Sequence, residues 1–283
     1  MKRWVMTYDV MSTGALDYAP CCYGNSKLLF RGPKRRLDAP YVAFLGGTET
    51  YGKFIKAPFP ALIESGLGVN CVNFGIPNAG IDVFVNDAAL IDAACGAKLT
   101  VVQVVGAQNL SNRFYSVHPR RNDRFVTASP LLKMVFPEVD FAEFHFNRHM
   151  LNCLQETSED RFSVVRAEVQ AAWLARMRLL LRKVDGPVVL AWVADHAPMT
   201  EEQSDKASAR GRDPLFVTRE MLEEIRPELA GLVEVIATPE AVAAGTTGMV
   251  FSELEAVAAK EMLGPQAHGE VARAIEPLLH EFV

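Results

Sequence analysis

Cysteine is scarce and unpatterned: five residues in a chain of 283, at positions 21, 22, 71, 95 and 153, with no CxxC spacing and an odd count. A disulfide framework and a structural zinc site are both disfavoured by this. The expectation is a protein of a reducing compartment, the cytoplasm. Long apolar runs are missing too. The longest, at 101–105 and 188–194, have strand length, whereas a bilayer-spanning helix needs about 20 apolar residues, so no membrane span is expected. The charges of Lys2 and Arg3 lead into no apolar segment of the secretory kind. A cationic excess is absent as well. Against 34 Asp plus Glu stand 29 Lys plus Arg, a net charge of −5, which removes the counterion release that a general nucleic-acid binder exploits. What is present, 49% hydrophobic and 22% charged residues, suffices to close a globular core.

Residues 1–39 hold no sustained period and carry Pro20, Pro33, three glycines and the basic run 34–36. They read as an arm lying on the domain that spans 40–283. From residue 40 onward, apolar runs at 41–46, 69–75, 99–106, 187–194 and 232–237 read as strands buried on both faces. Helix-like segments at 58–65, 83–95, 161–183 and 218–229 lie between them, and 252–282 follows with a break at Gly264-Pro265. In the long segment, Val164, Val165, Val169, Ala172, Trp173, Met177, Leu180 and Leu181 recur at three- and four-residue steps, which makes one face apolar. Alternation of this kind predicts right-handed βαβ units. The expected α/β fold is a flavodoxin-like three-layer sandwich of about five parallel strands with helices on both faces. An insertion at 110–160, after the third strand, is placed as a lid.

In open α/β sheets, ligands bind beyond the carboxyl ends of the strands. Gly46-Gly47-Thr48-Glu49-Thr50 follows the first run, Asn73-Phe74-Gly75 closes the second, Gly106-Ala107-Gln108-Asn109 follows the third and Asp195-His196 the fourth. Met262-Leu263-Gly264-Pro265-Gln266-Ala267-His268 stands near the C-terminus. This succession resembles the SGNH, or GDSL, hydrolase superfamily. There a Gly-Asp-Ser turn, a glycine, a Gly-x-Asn-Asp turn and a closing Asp-x-x-His segment occupy the corresponding places. The resemblance covers roughly residues 41–110 and 250–280 and is to a divergent bacterial branch with a degenerate triad. Thr48 stands at the nucleophile position after Gly47, Gln108 replaces an Asn of the third block, and Met262 and Ala259 fall where the catalytic His and its Asp belong. The resemblance implies an SGNH fold and hydrolysis or acyl transfer on an ester, an acylated glycan for example, with no cofactor and no metal.

A threonine hydroxyl can attack a carbonyl, though its β-methyl restricts χ1. A thioether cannot accept the proton, so the base must come from elsewhere. His268, six residues beyond Met262, and His196, beside Asp195, are the candidates. In the strand order 2-1-3-4-5 the fourth strand lies two positions from the first, which sets His196 at a distance. The amides of Thr48 and Gly75, with the side chain of Gln108 or Asn109, form a candidate oxyanion set; glycine turns with Asn caps are the plainer explanation of the same residues. Asn78 and Asn112 are further substrate donors. Glu49 suits either acid–base work or the dipole of a helix start.

The insertion brings Arg113, His118, Arg120, Arg121 and Arg124 together with Phe114 and Tyr115, a composition that fits an anion or sugar site. A solvated loop paired with Asp123, Glu138 and Asp140 fits it equally. His145 and His149, four apart near Glu143, make only a weak metal pattern, and packing of Phe141, Phe144 and Phe146 explains that segment better. Two functions stand side by side. One is an SGNH-like hydrolase or acyltransferase for a small-molecule or glycan substrate, anionic in character, with Thr48 as nucleophile. The other is a catalytically inactive SGNH-like protein that binds a carbohydrate or anionic ligand through those arginines. An interaction scaffold is a third, weaker possibility. Oligomeric state is not legible.

Overall fold

The computed structural model describes residues 16–204 and 211–283. In chain order the strands are β1 (Tyr41–Gly46), β2 (Asn70–Gly75), β3 (Leu99–Gln103), β4 (Tyr115–His118), β5 (Arg121–Ala128), β6 (Val188–Ala194) and β7 (Gly231–Ile236). The first half carries helices α1 (Thr48–Tyr51), α2 (Phe59–Leu67), α3 (Ile81–Val85), α4 (Ala88–Cys95), α5 (Pro130–Val135) and α6 (Asn147–Thr157). The second carries α7 (Glu159–Lys183), α8 (Glu201–Ser204), α9 (Arg219–Ile225), α10 (Pro239–Ala244), α11 (Ala256–Lys260) and α12 (Pro265–Leu279).

Five strands form one parallel sheet in the order β2-β1-β3-β6-β7, the flavodoxin-like arrangement, and β4 and β5 form a separate antiparallel hairpin. The period of two along each strand divides its side chains between two cores. From β1, Val42 and Phe44 join Phe59 and Ile63 of α2 and Val271, Ile275 and Leu279 of α12. Ala43 and Leu45 face the other side, with α3, α4, α7 and α9. β6 divides in the same way, Leu190 and Trp192 to one core, Val189 and Ala191 to the other. Burial on both faces is why these runs are apolar throughout rather than alternating.

The 25-residue α7 is specified at both ends. Ser158 caps it by accepting from the Arg161 N–H, acidic residues occupy its first turn and basic ones its last. Its buried stripe is Phe162, Val165, Val169, Trp173, Met177 and Leu180, while Val164 is 55% exposed and points outward. The helix expected over 83–95 is two, α3 and α4, separated where the Asp87 side chain accepts from the Leu90 N–H at 3.0 Å. No helix among the described residues is long and apolar enough to cross a membrane.

Two peripheral parts bear on the site. The first 15 residues of the expected arm lie outside the described residues. From Leu16 on, Tyr23 and Phe30 pack edge-on against Phe74 with ring centroids 5.1 and 5.2 Å away. Buried Arg31 donates to the carbonyls of Tyr51, Gly52, Ile55 and Lys56, which pins the loop after α1. The excursion between β3 and α7 contains the hairpin, α5 and α6. His145 precedes the start of α6 at Asn147, so His145 and His149 do not share a helical face.

Candidate active site

The chain leaves β1 at Gly46 and turns through Gly47 directly into α1. A Cβ at Gly46 would lie 2.0 Å from Thr50 Oγ1 and 2.7 Å from Gln103 Cβ, so only glycine lets this turn close on the end of β3. Gln103 holds the turn. Its Oε1 accepts from the Gly47 N–H at 3.0 Å, the Thr50 N–H at 3.1 Å and the Thr50 hydroxyl at 2.6 Å. After β2, Asn78 adopts a left-handed φ of 55°, which asparagine tolerates better than most residues, and its N–H donates to Thr48 Oγ1 at 3.0 Å. The Asn109 amide donates to the Asn78 carbonyl at 3.1 Å, and Trp173 of α7 donates to the Val105 carbonyl at 2.8 Å. The three loops at the carboxyl edge are thereby fixed to one another and to the core.

They enclose a cavity of about 890 Å³. Thr48, Glu49, Gln103, Asn78, Gln108 and Asn109 line its base. One wall is built by the inserted region, with Asp123 of β5 and Phe146, Arg148, His149 and Asn152 at the start of α6. The rest of the lining comes from Asp195, residues 211–214 and residues 260–264, among others. The guanidiniums here are already engaged. Arg148 pairs with Asp213 and donates to the Gly211 carbonyl at 2.7 Å, and Arg212 holds Asp195 at 3.2 Å. Asp213 also accepts from Gln108 Nε2 at 3.3 Å.

Glu49 keeps a small face open to this cavity while protein surrounds its carboxyl. Burial first, and the negative charge of Asp213 second, push its pKa up to about 7; hydrogen bonds from its own N–H and from Gln103 oppose the rise. Asp123 is also raised, by burial, with Arg124, Arg121 and Asn78 working against it. A carboxyl that titrates near neutrality can give or take a proton at working pH.

Of the residues singled out from sequence, Thr48, Glu49, Asn78, Gln108 and Asn109 meet in this cavity. The others do not. His268 is 3% exposed, packs its ring on Phe59 and accepts the Phe59 N–H on Nδ1 at 3.2 Å. Burial and nearby Arg31 lower its pKa to about 3. The expectation that His268 carries the proton is corrected by this: Pro265 starts α12 and the helix turns the imidazole into the packing against α2. Met262, where the resemblance places the base, does line the cavity.

His196 bonds Asp195 at 2.7 Å and sits edge-on to Trp192 in a small cleft beside the cavity; only Asp195 reaches the cavity itself. Gly75 is off the cavity, and its N–H is engaged by Asn73 Oδ1 at 2.9 Å. The basic side chains of the hairpin are not part of the lining either. Arg113 pairs with Glu168, Arg124 covers the Phe146 ring at 4.0 Å, and Arg120 and Arg121 are exposed. His118 accepts the Arg120 N–H within its own turn at 3.2 Å, and Asn112 accepts from Phe114 and Tyr115 at 2.8 and 3.2 Å.

Residues 6–283 match the model of one protein family, described as a domain of unknown function, DUF6473. The chain belongs to the DUF6473 family. No curated protein matches it. Among solved structures, this DUF6473 chain is similar to a carbohydrate acetylesterase family member from Sinorhizobium meliloti, at 11% identity and a TM-score of 0.39, over 86% of this chain and 99% of that one. A catalytic mutant of an acetylxylan esterase from Geobacillus stearothermophilus gives 13% and 0.39 over 86% and 94%. A lipase from a goat rumen metagenome gives 9% and 0.40 over 84% and 97%. Scores and identities of this size say nothing about chemistry, which rests on the DUF6473 chain's own residues.

Several residues that build the site carry a weak sequence signal. Gln103 interrupts Val-Val-Gln-Val-Val, and an amide inside a strand buried on both faces demands a partner. Asp123, Arg148, His149, Asn152 and Asp213 lie far along the chain from the strand ends, in segments whose path no periodicity reveals.

Proposed function

We propose that this chain is an SGNH-like ester hydrolase or acyltransferase for a small, uncharged polar substrate such as an acylated sugar, with Thr48 as nucleophile and Glu49 as the group that moves the proton. The observation that carries this reading is a cavity of about 890 Å³ lined by both Thr48 and Glu49, in which burial and Asp213 push the Glu49 carboxyl up to about 7. General bases work best with a pKa near the operating pH. In this scheme ionised Glu49 takes the Thr48 proton through one water as Oγ1 bonds to the acyl carbon. The bond to the leaving alcohol breaks, and that alcohol receives the proton from Glu49. Water then attacks by the same route, the acyl–Thr48 bond breaks, and the acid leaves. The Asn78 N–H aimed at Oγ1 favours negative charge on that oxygen. A primary amide has two N–H groups; one from Asn109 is held by Asn78, and the second serves the acyl oxygen. An uncharged substrate is favoured over the anion expected from sequence because Arg148 and Arg212 are neutralised by Asp213 and Asp195.

Binding without turnover is the second reading, favoured by Met262 at the place of the family's base and by the withdrawal of His268 into the core. Turnover of 4-nitrophenyl acetate and acetylated sugars separates the two. Thr48→Ala and Glu49→Gln are each expected to lower kcat by about 10²–10⁴-fold, and wild-type kcat is expected to rise with pH through about 7. Clean protein with no turnover, yet thermally stabilised by free sugars, establishes the binder.

A further inference from the structure

We propose that Asn147 is a positioning residue: from behind the cavity wall it holds the Asn109 amide in the orientation that leaves an N–H free for the acyl oxygen. This inference rests on the proposed acyl transfer, in which Asn109 is that donor. Asn147 is fully buried and is not part of the cavity lining, so it acts through Asn109. Its Nδ2 donates to the Asn122 carbonyl at 2.5 Å and to Asn109 Oδ1 at 3.2 Å. Asn109 Nδ2 in turn donates to the Asn78 carbonyl at 3.1 Å. Amide orientation is often ambiguous, but a backbone carbonyl only accepts, so the Asn122 and Asn78 carbonyls each demand a nitrogen. With both nitrogens fixed, Asn109 Oδ1 faces Asn147. The second Nδ2 hydrogen of Asn109 has no protein acceptor among the described residues.

Helix capping does not explain this placement. Asparagine at a helix start commonly accepts a backbone N–H. Here Phe146 is the N-cap of α6, no side chain caps the helix, and Asn147 Oδ1 is buried without a partner. An apolar side chain of similar size would spare that unpaired acceptor, and would lose only the two N–H bonds. The support behind Asn147 is firm. Asn122 of β5 is 1% exposed, accepts the N–H groups of Gly80 and Val83 on Oδ1 at 3.0 and 3.1 Å, and donates to the His118 carbonyl at 3.1 Å. A Cβ at Gly80 would lie 1.5 Å from the Asn109 carbonyl oxygen, so the loops after β2 and β3 meet backbone to backbone. Contacts run from β5 through Asn147 to Asn109, on to the Asn78 carbonyl, and from the Asn78 N–H to Thr48 Oγ1. Nucleophile and oxyanion donor thereby share one frame, anchored in the inserted region.

The test pairs kinetics with spectra that need no substrate. A donor to the developing oxyanion acts on kcat rather than KM. Asn147→Leu is expected to lower kcat on 4-nitrophenyl acetate about tenfold, the size of one net hydrogen bond, with KM unmoved. In an Asn109→Ala background the same substitution is expected to add nothing; an equal loss in both backgrounds marks a purely structural residue and overturns the proposal. In nitrogen-15 spectra of the full chain, the Asn109 side-chain amide pair, assigned by Asn109→Ala, is expected to shift and broaden in Asn147→Leu as its orientation is released. Because Asn147→Leu leaves two acceptors unmatched and can fail to fold, a second measurement uses the wild-type chain. There the Asn147 amide hydrogens are expected to exchange with solvent far more slowly than those of Asn109. An Asn109 pair as protected as the Asn147 pair, or Asn109 signals unmoved in folded Asn147→Leu, overturns the proposal. A wild-type chain without turnover whose Asn109 signals behave as expected counts against acyl transfer alone, so the two readings fail separately.

Discussion

Glu49 and His268 are both enclosed titratable side chains, and the surroundings of each push it toward its neutral form. At the carboxyl edge, Glu49 is raised to about 7; between α2 and α12, His268 is lowered to about 3. The difference lies in access and partners. His268 is sealed, with a backbone N–H on Nδ1 and an arginine nearby, so at neutral pH it is a fixed acceptor. Glu49 borders a cavity, and its own N–H and the Gln103 amide work against the rise that burial imposes. Burial alone silences a titratable group, whereas burial beside a cavity leaves it able to exchange a proton.

The sharpest way to break this comparison is to remove each group. Glu49→Gln is expected to cost about 10²–10⁴-fold in kcat with the fold retained. His268→Leu is expected to leave kcat of the folded protein unchanged while lowering stability by about 2 kcal/mol, because the Phe59 N–H loses its acceptor. A hundredfold fall in kcat for His268→Leu in steady-state assays returns the proton to that imidazole and sinks the assignment.

The opposite pKa shifts also oppose each other in stability. Glu49 is raised above its unfolded value of 4.5, so its contribution is full below pH 4.5 and is lost as pH rises toward 7. His268 is lowered from 6.5, so its contribution is full above that pH and is lost as pH falls toward 3. Between pH 4.5 and 6.5 the two slopes, each about 1.4 kcal/mol per pH unit, cancel. Denaturant unfolding at several pH values is expected to show stability climbing with pH in Glu49→Gln and falling with pH in His268→Leu. Parallel curves for the two variants remove the contrast.

The two sets of arginines supply the smaller effects. Arg148→Ala frees the charge of Asp213 beside Glu49 and is expected to move the acid limb of the kcat profile upward. Arg120→Ala, on the exposed hairpin turn, is expected to leave both KM and stability unchanged within about 0.5 kcal/mol. A rise in KM for anionic esters in Arg120→Ala brings the hairpin back as a binding surface.

Much of the architecture was legible because strands buried on both faces must be apolar throughout and the helices between them must carry stripes. The runs at 41–46 and 188–194 coincide with β1 and β6, and the order β2-β1-β3-β6-β7 follows the expected pattern. The break between α3 and α4 escaped because Asp87 acts locally as a cap inside an otherwise helical pattern. At the site, residues next to strand ends were visible, Thr48, Glu49, Asn78, Gln108 and Asn109 among them. Histidine identity misled: His268 is a proton acceptor by type but a packed side chain by position.

The sequence by itself determined the layers, the strand set and the segments that reach the carboxyl edge, since hydrophobic period and glycine position act locally along the chain. Only the tertiary structure decided which titratable group faces the cavity and which is sealed. That depends on solvation and on partners such as Asp213, Arg31 and Gln103, all distant in sequence from the group they tune. Proton affinity is a property of the surroundings in three dimensions, and no pattern along the chain encodes it.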